Sequence, residues 1–224
     1  MGAALEVREL GRVPYAEALA LQEELREARR RGACPDTLLL LEHPPVVTLG
    51  RSHRSEHLLL DRAALAARGI ELFEVARGGD ATYHGPGQLV GYPIVDLAAR
   101  GAPDVHAWLR TLEEGVGAAC AALGVPWRRI EGWTGVFAAA GEPGARPRPR
   151  KLASIGVGLR GWVTHHGFAL DVDLDLAGFE AIVPCGLAEV EMSSLARELG
   201  ARAPADLGVR AREAVRNAFL ERLG

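Results

Sequence analysis

Lysine is almost absent from this 224-residue chain. Of its 26 basic residues only Lys151 is a lysine, and the other 25 are arginines. Arginine stays protonated, whereas a desolvated lysine can give up its proton. A position that must pass a proton therefore does not accept the exchange, and this marks Lys151 as a candidate. Cysteine is nearly as scarce. Cys34, Cys120 and Cys185 are odd in number and lack paired spacing, which argues against a disulfide framework or a zinc site and for a reducing cytoplasm. No apolar run reaches spanning length, and the opening MGAALEVREL is not a signal peptide, so a cytoplasmic protein is expected. Excess positive charge is missing too. A net charge of -3 gives no footprint for nucleic acid.

What is present reads as one mixed α/β domain over residues 1–224, with a mixed sheet and flanking helices and a small C-terminal lobe after Leu187. ALEVREL is a weak opening strand, and Tyr15 to Arg31 is helical by spacing. TLLLLEH and VVTLG are buried strands around the Pro44-Pro45 break. Asp61, Asp104 and Ser194 are N-caps of helices ending near Gly69, Leu123 and Leu199. IELFEVA, QLVGYPIV and TGVFA are extended. LASIGVGL and WVTHHGFALDVD form a hairpin joined at Arg160-Gly161, and Pro204 to Leu223 is a closing helix.

Between two of these strands lies RGGDATYHGPGQL, from Arg77, whose glycines allow backbone to approach a ligand closely. A phosphate loop needs a Lys followed by Ser or Thr at its end, and this segment has neither. The other glycine pattern, GVGLRG at Gly156–Gly161, is followed by the strand-like WVTHHGFAL and not by a helix, so it is not a dinucleotide fingerprint. The histidines show no metal spacing, and His165 and His166, as neighbours on a strand, point to opposite faces. No metal and no cofactor is expected. The plainest role for His84 is to tie down the glycine loop.

Cys185 stands in IVPCGLAEV, where Pro184 fixes the backbone before it and Gly186 frees the backbone after it. Such a turn exposes a thiol. Cys120, within GAACAALG, reads as a buried structural cysteine. A reactive thiol needs a partner that favours the thiolate, and the candidates are Lys151, His84 and His166.

Three separated motifs, Arg77-Gly-Gly-Asp-Ala-Thr-Tyr-His-Gly-Pro-Gly-Gln-Leu-Val, Lys151-Leu-Ala-Ser-Ile-Gly with Thr164-His-His-Gly-Phe-Ala-Leu, and Pro184-Cys-Gly, resemble the lipoyl(octanoyl) transferase family over about residues 37–199. The resemblance implies the biotin/lipoate protein ligase-like fold. It also implies an acyltransferase that moves an octanoyl group from octanoyl-acyl carrier protein to a lysine of lipoyl domains, in 2-oxo-acid dehydrogenase E2 subunits and glycine cleavage H protein, as the first step of endogenous lipoylation. It makes Cys185 the acyl-thioester nucleophile and Lys151 its acid/base partner. Arg77, Gly78, Gly79, Asp80, Ala81, Thr82, Tyr83, His84, Ser154, Ile155, Gly156, Gly167, Phe168 and Ala169 then line the acyl site. Asp171 and Gly158 depart from the pattern, which has asparagine and a basic residue there. Arg146, Arg148 and Arg150 are expected either to steer an acidic carrier protein or simply to be solvated. A monomer is expected. The rival readings are an ATP-dependent lipoate or biotin protein ligase, for which Cys185 is dispensable, and a non-catalytic module that binds acyl or lipoyl domains.

Overall fold

The run of leucines in TLLLLE is the spine of the molecule. A strand apolar on both faces must be covered on both, and β2 (Asp36–Glu42) is buried along almost its whole length. The computed structural model describes residues 5–139, 148–186 and 189–224, apart from the side chain of Cys185. Helix α1 (Tyr15–Arg30) carries the chain back from β1 (Leu5–Arg12), so β1 and β2 pair in parallel. The remaining strands of the large sheet are β6 (Gln88–Ile94), β7 (Trp127–Ile130), β8 (Trp133–Ala138), β9 (Arg150–Arg160) and β10 (Val163–Asp171). Their order is β1-β2-β6-β10-β9-β8-β7, antiparallel from β2 onward, and the short β11 (Glu191–Met192) runs parallel to the start of β9. The mixed α/β architecture read from the sequence is the one observed.

The Pro44-Pro45 break sends the chain out of this sheet into a second one. There β3 (Val46–Leu49) lies between β4 (Glu71–Glu74) and β5 (Ala81–His84), with α2 (Arg62–Ala67) beside it. Apolar residues accordingly gather in three clusters. The largest lies between the large sheet and α3 (Val105–Ala122) with α5 (Leu207–Leu223), one lies between α1 and the opposite face, and one lies under the small sheet.

The three predicted caps are in place. Asp61 accepts from the Ala64 N–H, Asp104 from His106 and Ala107, and Ser194 from Arg197 at the start of α4 (Leu195–Leu199). Three expectations change. The closing helix starts at Leu207, not Pro204. The β9–β10 turn has Gly161 and Trp162 at its centre, with φ 58° and 63°, the left-handed pair of a two-residue hairpin loop, so it lies one residue beyond Arg160-Gly161. The segment after Leu187 forms no lobe of its own, because Leu195, Leu199, Leu207, Val215 and Phe219 belong to the large core. Among the described residues no helix is long and apolar enough to cross a membrane.

Candidate active site

The glycine-rich segment crosses from one sheet to the other, and a cavity of about 220 Å³ opens beneath it. Strand alternation sorts its residues. Thr82 and His84 face the cavity, together with Arg77, Gly79 and Asp80. Ala81 and Tyr83 face the core of the small sheet, where the Tyr83 ring meets Phe179 edge-on at 5.6 Å. Gly78 is bonded to Val157 through its N–H (2.8 Å) and is not among the lining residues. Of the residues expected around the acyl site, Gly78, Ala81 and Tyr83 do not line this cavity. Arg77 is buried, and its guanidinium donates to both the carbonyl and the hydroxyl of Thr48 at 2.8 Å, which anchors the segment to β3.

The opposite wall comes from β9 and β10, with Lys151, Ser154, Ile155, Gly156, Gly167, Phe168 and Ala169 all lining the cavity. Residues 151 and 154 lie on opposite faces of a regular strand. Here the register against β8 shifts, Val136 pairing with Ala153 and Phe137 with Lys151, so Leu152 is extra. That bulge re-aims the lysine into the cavity that Ser154 lines. Lys151 is 1% exposed, its Nζ donates to the Thr134 carbonyl at 3.1 Å, and it stands 5.6 Å from the centre of the Phe137 ring.

Histidines and tyrosines form the floor. Tyr15, His84, Tyr92 and His166 line the cavity, and His43 lies behind them, 5.0 Å from Tyr15 and 5.7 Å from His84 between ring centres. Burial lowers the pKa of His84 and His166 to about 3 and that of His43 to about 4, so all three are neutral at physiological pH. Hydrogen bonds fix the tautomers of His84 and His43. Gln88 uses its amide N–H groups on the Tyr83 carbonyl and on Asp171 Oδ1, so its oxygen must accept from His84 Nδ1 at 2.7 Å. The Nδ1 of His43 donates to the Val13 carbonyl, so its Nε2 accepts from the Tyr92 hydroxyl at 2.8 Å. His84 does tie down the loop.

His165 and His166 do not point to opposite faces, since their rings are 4.9 Å apart. His166 has φ 55°, a conformation uncommon for a non-glycine residue. One hydrogen bond holds it: the His166 N–H donates to the buried Gln22 side chain of α1 at 2.8 Å.

Pro184–Gly186 is a single 3-10 turn, with Gly186 at φ 67°. It packs beside Asp80 and His57, whose Nδ1 meets Asp80 Oδ2 at 2.5 Å. Cys120 is buried and its thiol is pushed up to about 12, as a structural cysteine requires, and the half-buried Cys34 donates to the Leu25 carbonyl. Asp171 is 1% exposed, and burial raises its carboxyl to about 8 against the opposing Gln88 hydrogen bond and Lys151 charge. Among the described residues no cluster of three metal-ligating side chains exists.

Arg150 is paired through Nε and Nη2 to Glu198 at 2.7 and 2.9 Å. Arg148 is exposed, and Arg146 lies outside the described residues. Sequence reasoning missed Tyr15, Tyr92, Gly132, Trp133 and Thr134 as lining residues, and His57 as a neighbour of the cysteine turn. Tyr15 and Tyr92 carried a weak signal, a phenol within an otherwise apolar helix face or strand. Nothing in the sequence distinguished the others.

Comparison with known proteins places these features in context. Residues 14–220 match the family model of the lipoyl protein ligase A/B catalytic domain. An octanoyltransferase of Syntrophotalea carbinolica is 52% identical over 196 residues, covering 88% of this chain and 85% of the relative. One from Myxococcus xanthus is 46% identical over 215 residues, covering 96% of this chain but only 58% of the longer relative. A crystal structure of lipoate-protein ligase A bound with ATP superposes with a TM-score of 0.72, covering 99% of this chain and 85% of that one at 19% identity, a likeness of fold.

Proposed function

This chain belongs to the octanoyltransferases of the lipoyl protein ligase A/B catalytic-domain family, and from that premise we propose that it works through a Cys185 thioester with Lys151 as acid and base. The donor is octanoyl-acyl carrier protein and the acceptor is a lysine of a lipoyl domain. The Cys185 thiolate attacks the thioester carbonyl carbon of the donor. The carbon–sulfur bond to the carrier's thiol breaks, and Lys151 returns a proton to that leaving sulfur. The acceptor amine then attacks the acyl-cysteine, Lys151 takes its proton, and the Cys185 thiolate departs. Thioester exchange is close to isoenergetic and amide formation runs downhill, so the sequence of steps needs no nucleotide.

The observation that carries this reading is the burial of the chain's single lysine in the wall of a cavity whose other walls are the glycine-rich segment and small residues of β9 and β10. Arg77, Gly79, Asp80, Thr82, His84, Ser154, Ile155, Gly156, Gly167, Phe168 and Ala169 enclose the alkyl chain. Each buried methylene contributes about 0.8 kcal/mol. Cavity depth therefore selects chain length, each methylene discriminating by about 1–3 kcal/mol. The acyl carrier protein, the E2 and H-protein acceptors, a monomeric state and a cytoplasmic site of action are parts of the same proposal.

The test is intact mass of the protein mixed with octanoyl-acyl carrier protein without ATP. One octanoyl adduct is expected that hydroxylamine removes and Cys185→Ser lacks. Lys151→Arg should slow its formation about 100-fold or more, because a guanidinium cannot exchange the proton. Transfer to a lipoyl domain by Cys185→Ser when supplied with octanoate and ATP would instead establish a ligase.

A further inference from the structure

The turn that carries Cys185 is clasped by one short segment that neither the glycine motif nor the lysine motif includes. Residues 57–59 run antiparallel to 181–183. The Val183 N–H donates to the His57 carbonyl at 2.8 Å, the Leu59 N–H to the Ala181 carbonyl at 2.9 Å, and Leu58 bridges Ile182. The ring of His57 then folds over the far end of the same turn. A Cβ built on Gly186 would stand 3.0 Å from His57 Cε1 and 2.9 Å from Asp80 Oδ2, so the imidazole–carboxylate pair presses directly on the residue after Cys185. Asp80 itself is fixed twice, its Oδ1 accepting from the Ala81 N–H at 2.7 Å and its Oδ2 meeting His57 Nδ1 at 2.5 Å. Both side chains are largely buried, at 18% and 10% exposure, so the field of the carboxylate is poorly screened by solvent.

A carboxylate packed on the turn that carries a nucleophilic cysteine disfavours its thiolate. Among the described residues the other charged side chains of the cavity wall are Arg77 and Lys151, while His84 and His166 are neutral. Arg77 is hydrogen-bonded to Thr48 and Gly78. We propose that His57 is a positioning residue for Cys185, holding the turn through its backbone and hydrogen-bonding the Asp80 carboxylate through its ring. Asp80 in return keeps the ring against the turn. The inference rests on Cys185 being the nucleophile, and it adds a group that sets the reactivity of that residue without touching the substrate.

The experiment measures the rate of Cys185 alkylation by iodoacetamide against pH, with the modified site identified by peptide mass so that Cys34 and Cys120 are counted separately. It needs no acyl donor, so its outcome is independent of whether the acyl-enzyme forms. In His57→Phe the unbalanced carboxylate is expected to raise the thiol pKa by about one unit. Thiolate nucleophilicity rises as its pKa rises, with a Brønsted coefficient of about 0.4–0.5, so the variant should react about three- to fourfold more slowly below both pKa values and about threefold faster above both. The two profiles therefore cross. Adding Asp80→Asn should return the double variant towards the wild-type profile. His57→Gln, which keeps a donor for Asp80 but shortens its reach, should cross in the same way by a smaller amount, and it serves if the phenylalanine variant does not fold. Profiles that stay parallel at all pH, or a crossing that Asp80→Asn leaves unchanged, would mean that His57 only packs the turn and would overturn the proposal.

Discussion

Asp171 is buried at the end of β10 with its Oδ1 on Gln88 and its Oδ2 without a hydrogen-bond partner among the described residues. Ionising such a group costs desolvation that one amide and the Lys151 charge only partly offset, and its pKa is raised from 3.8 to about 8. A carboxyl with a raised folded-state pKa binds its proton more tightly in the native than in the unfolded protein. Its contribution to stability is fully present below about pH 4 and is lost as pH rises to about 8. Within that window each pH unit removes about 1.4 kcal/mol. Replacement by asparagine keeps the shape and an oxygen for Gln88 but removes the titration. The stability difference between Asp171→Asn and wild type, from urea unfolding at a series of pH values, should therefore swing by about 4 kcal/mol in favour of the variant between about pH 5 and pH 8. It should be flat below pH 4 and level off above about pH 9. If Asp171 is instead ionised and paired with Lys151, the variant leaves an unpaired buried ammonium and becomes less stable as pH rises. That opposite slope would refute the reasoning.

Two further outcomes follow from the walls of the cavity. A Cβ on Gly91 would lie 2.0 Å from the tip of the Phe168 ring, which is itself stacked on Phe219 at 5.1 Å. Gly91→Ala should therefore destabilise by about 1–3 kcal/mol in denaturant unfolding. It should also turn acyl preference towards chains shorter than octanoyl, whereas an unchanged chain-length profile would place the alkyl chain elsewhere. Gln22→Ala leaves the buried His166 N–H without its acceptor and should cost about 1–3 kcal/mol. Release of His166 from φ 55° should also lower kcat at saturating donor, and full activity would show that the left-handed conformation has no part in transfer.

The hydrophobic pattern carried much of the fold. The Leu38–Leu41 run, the double-proline break and the capping residues Asp61, Asp104 and Ser194 are local signals, and the elements they mark are observed. Local chemistry also isolated Lys151 and the Pro-Cys-Gly turn, because a single lysine among arginines and a thiol between proline and glycine are visible without coordinates. It failed where a long-range partner overrides local periodicity. Strict alternation puts His165 and His166 on opposite faces, but the left-handed His166, its N–H held by Gln22 from far away in the sequence, brings the two rings together. The same alternation, read through the glycine motif, would have separated Thr82 and His84 from Ala81 and Tyr83, and treating the motif as one block hid that division.

The sequence by itself determined the residue types available to this protein: one lysine among arginines, one cysteine between proline and glycine, a glycine-rich segment without a phosphate-binding lysine, and strands apolar enough to be enclosed. Those are properties of residue types and their immediate neighbours. The tertiary structure decided how they meet. A one-residue bulge at Leu152 aims Lys151 into the cavity that Ser154 lines, two sheets joined through the double proline enclose that cavity, and the His57–Asp80 pair closes on the cysteine turn. None of these has a local signature, because each depends on backbone segments far apart in the chain whose contact is fixed only when the core packs.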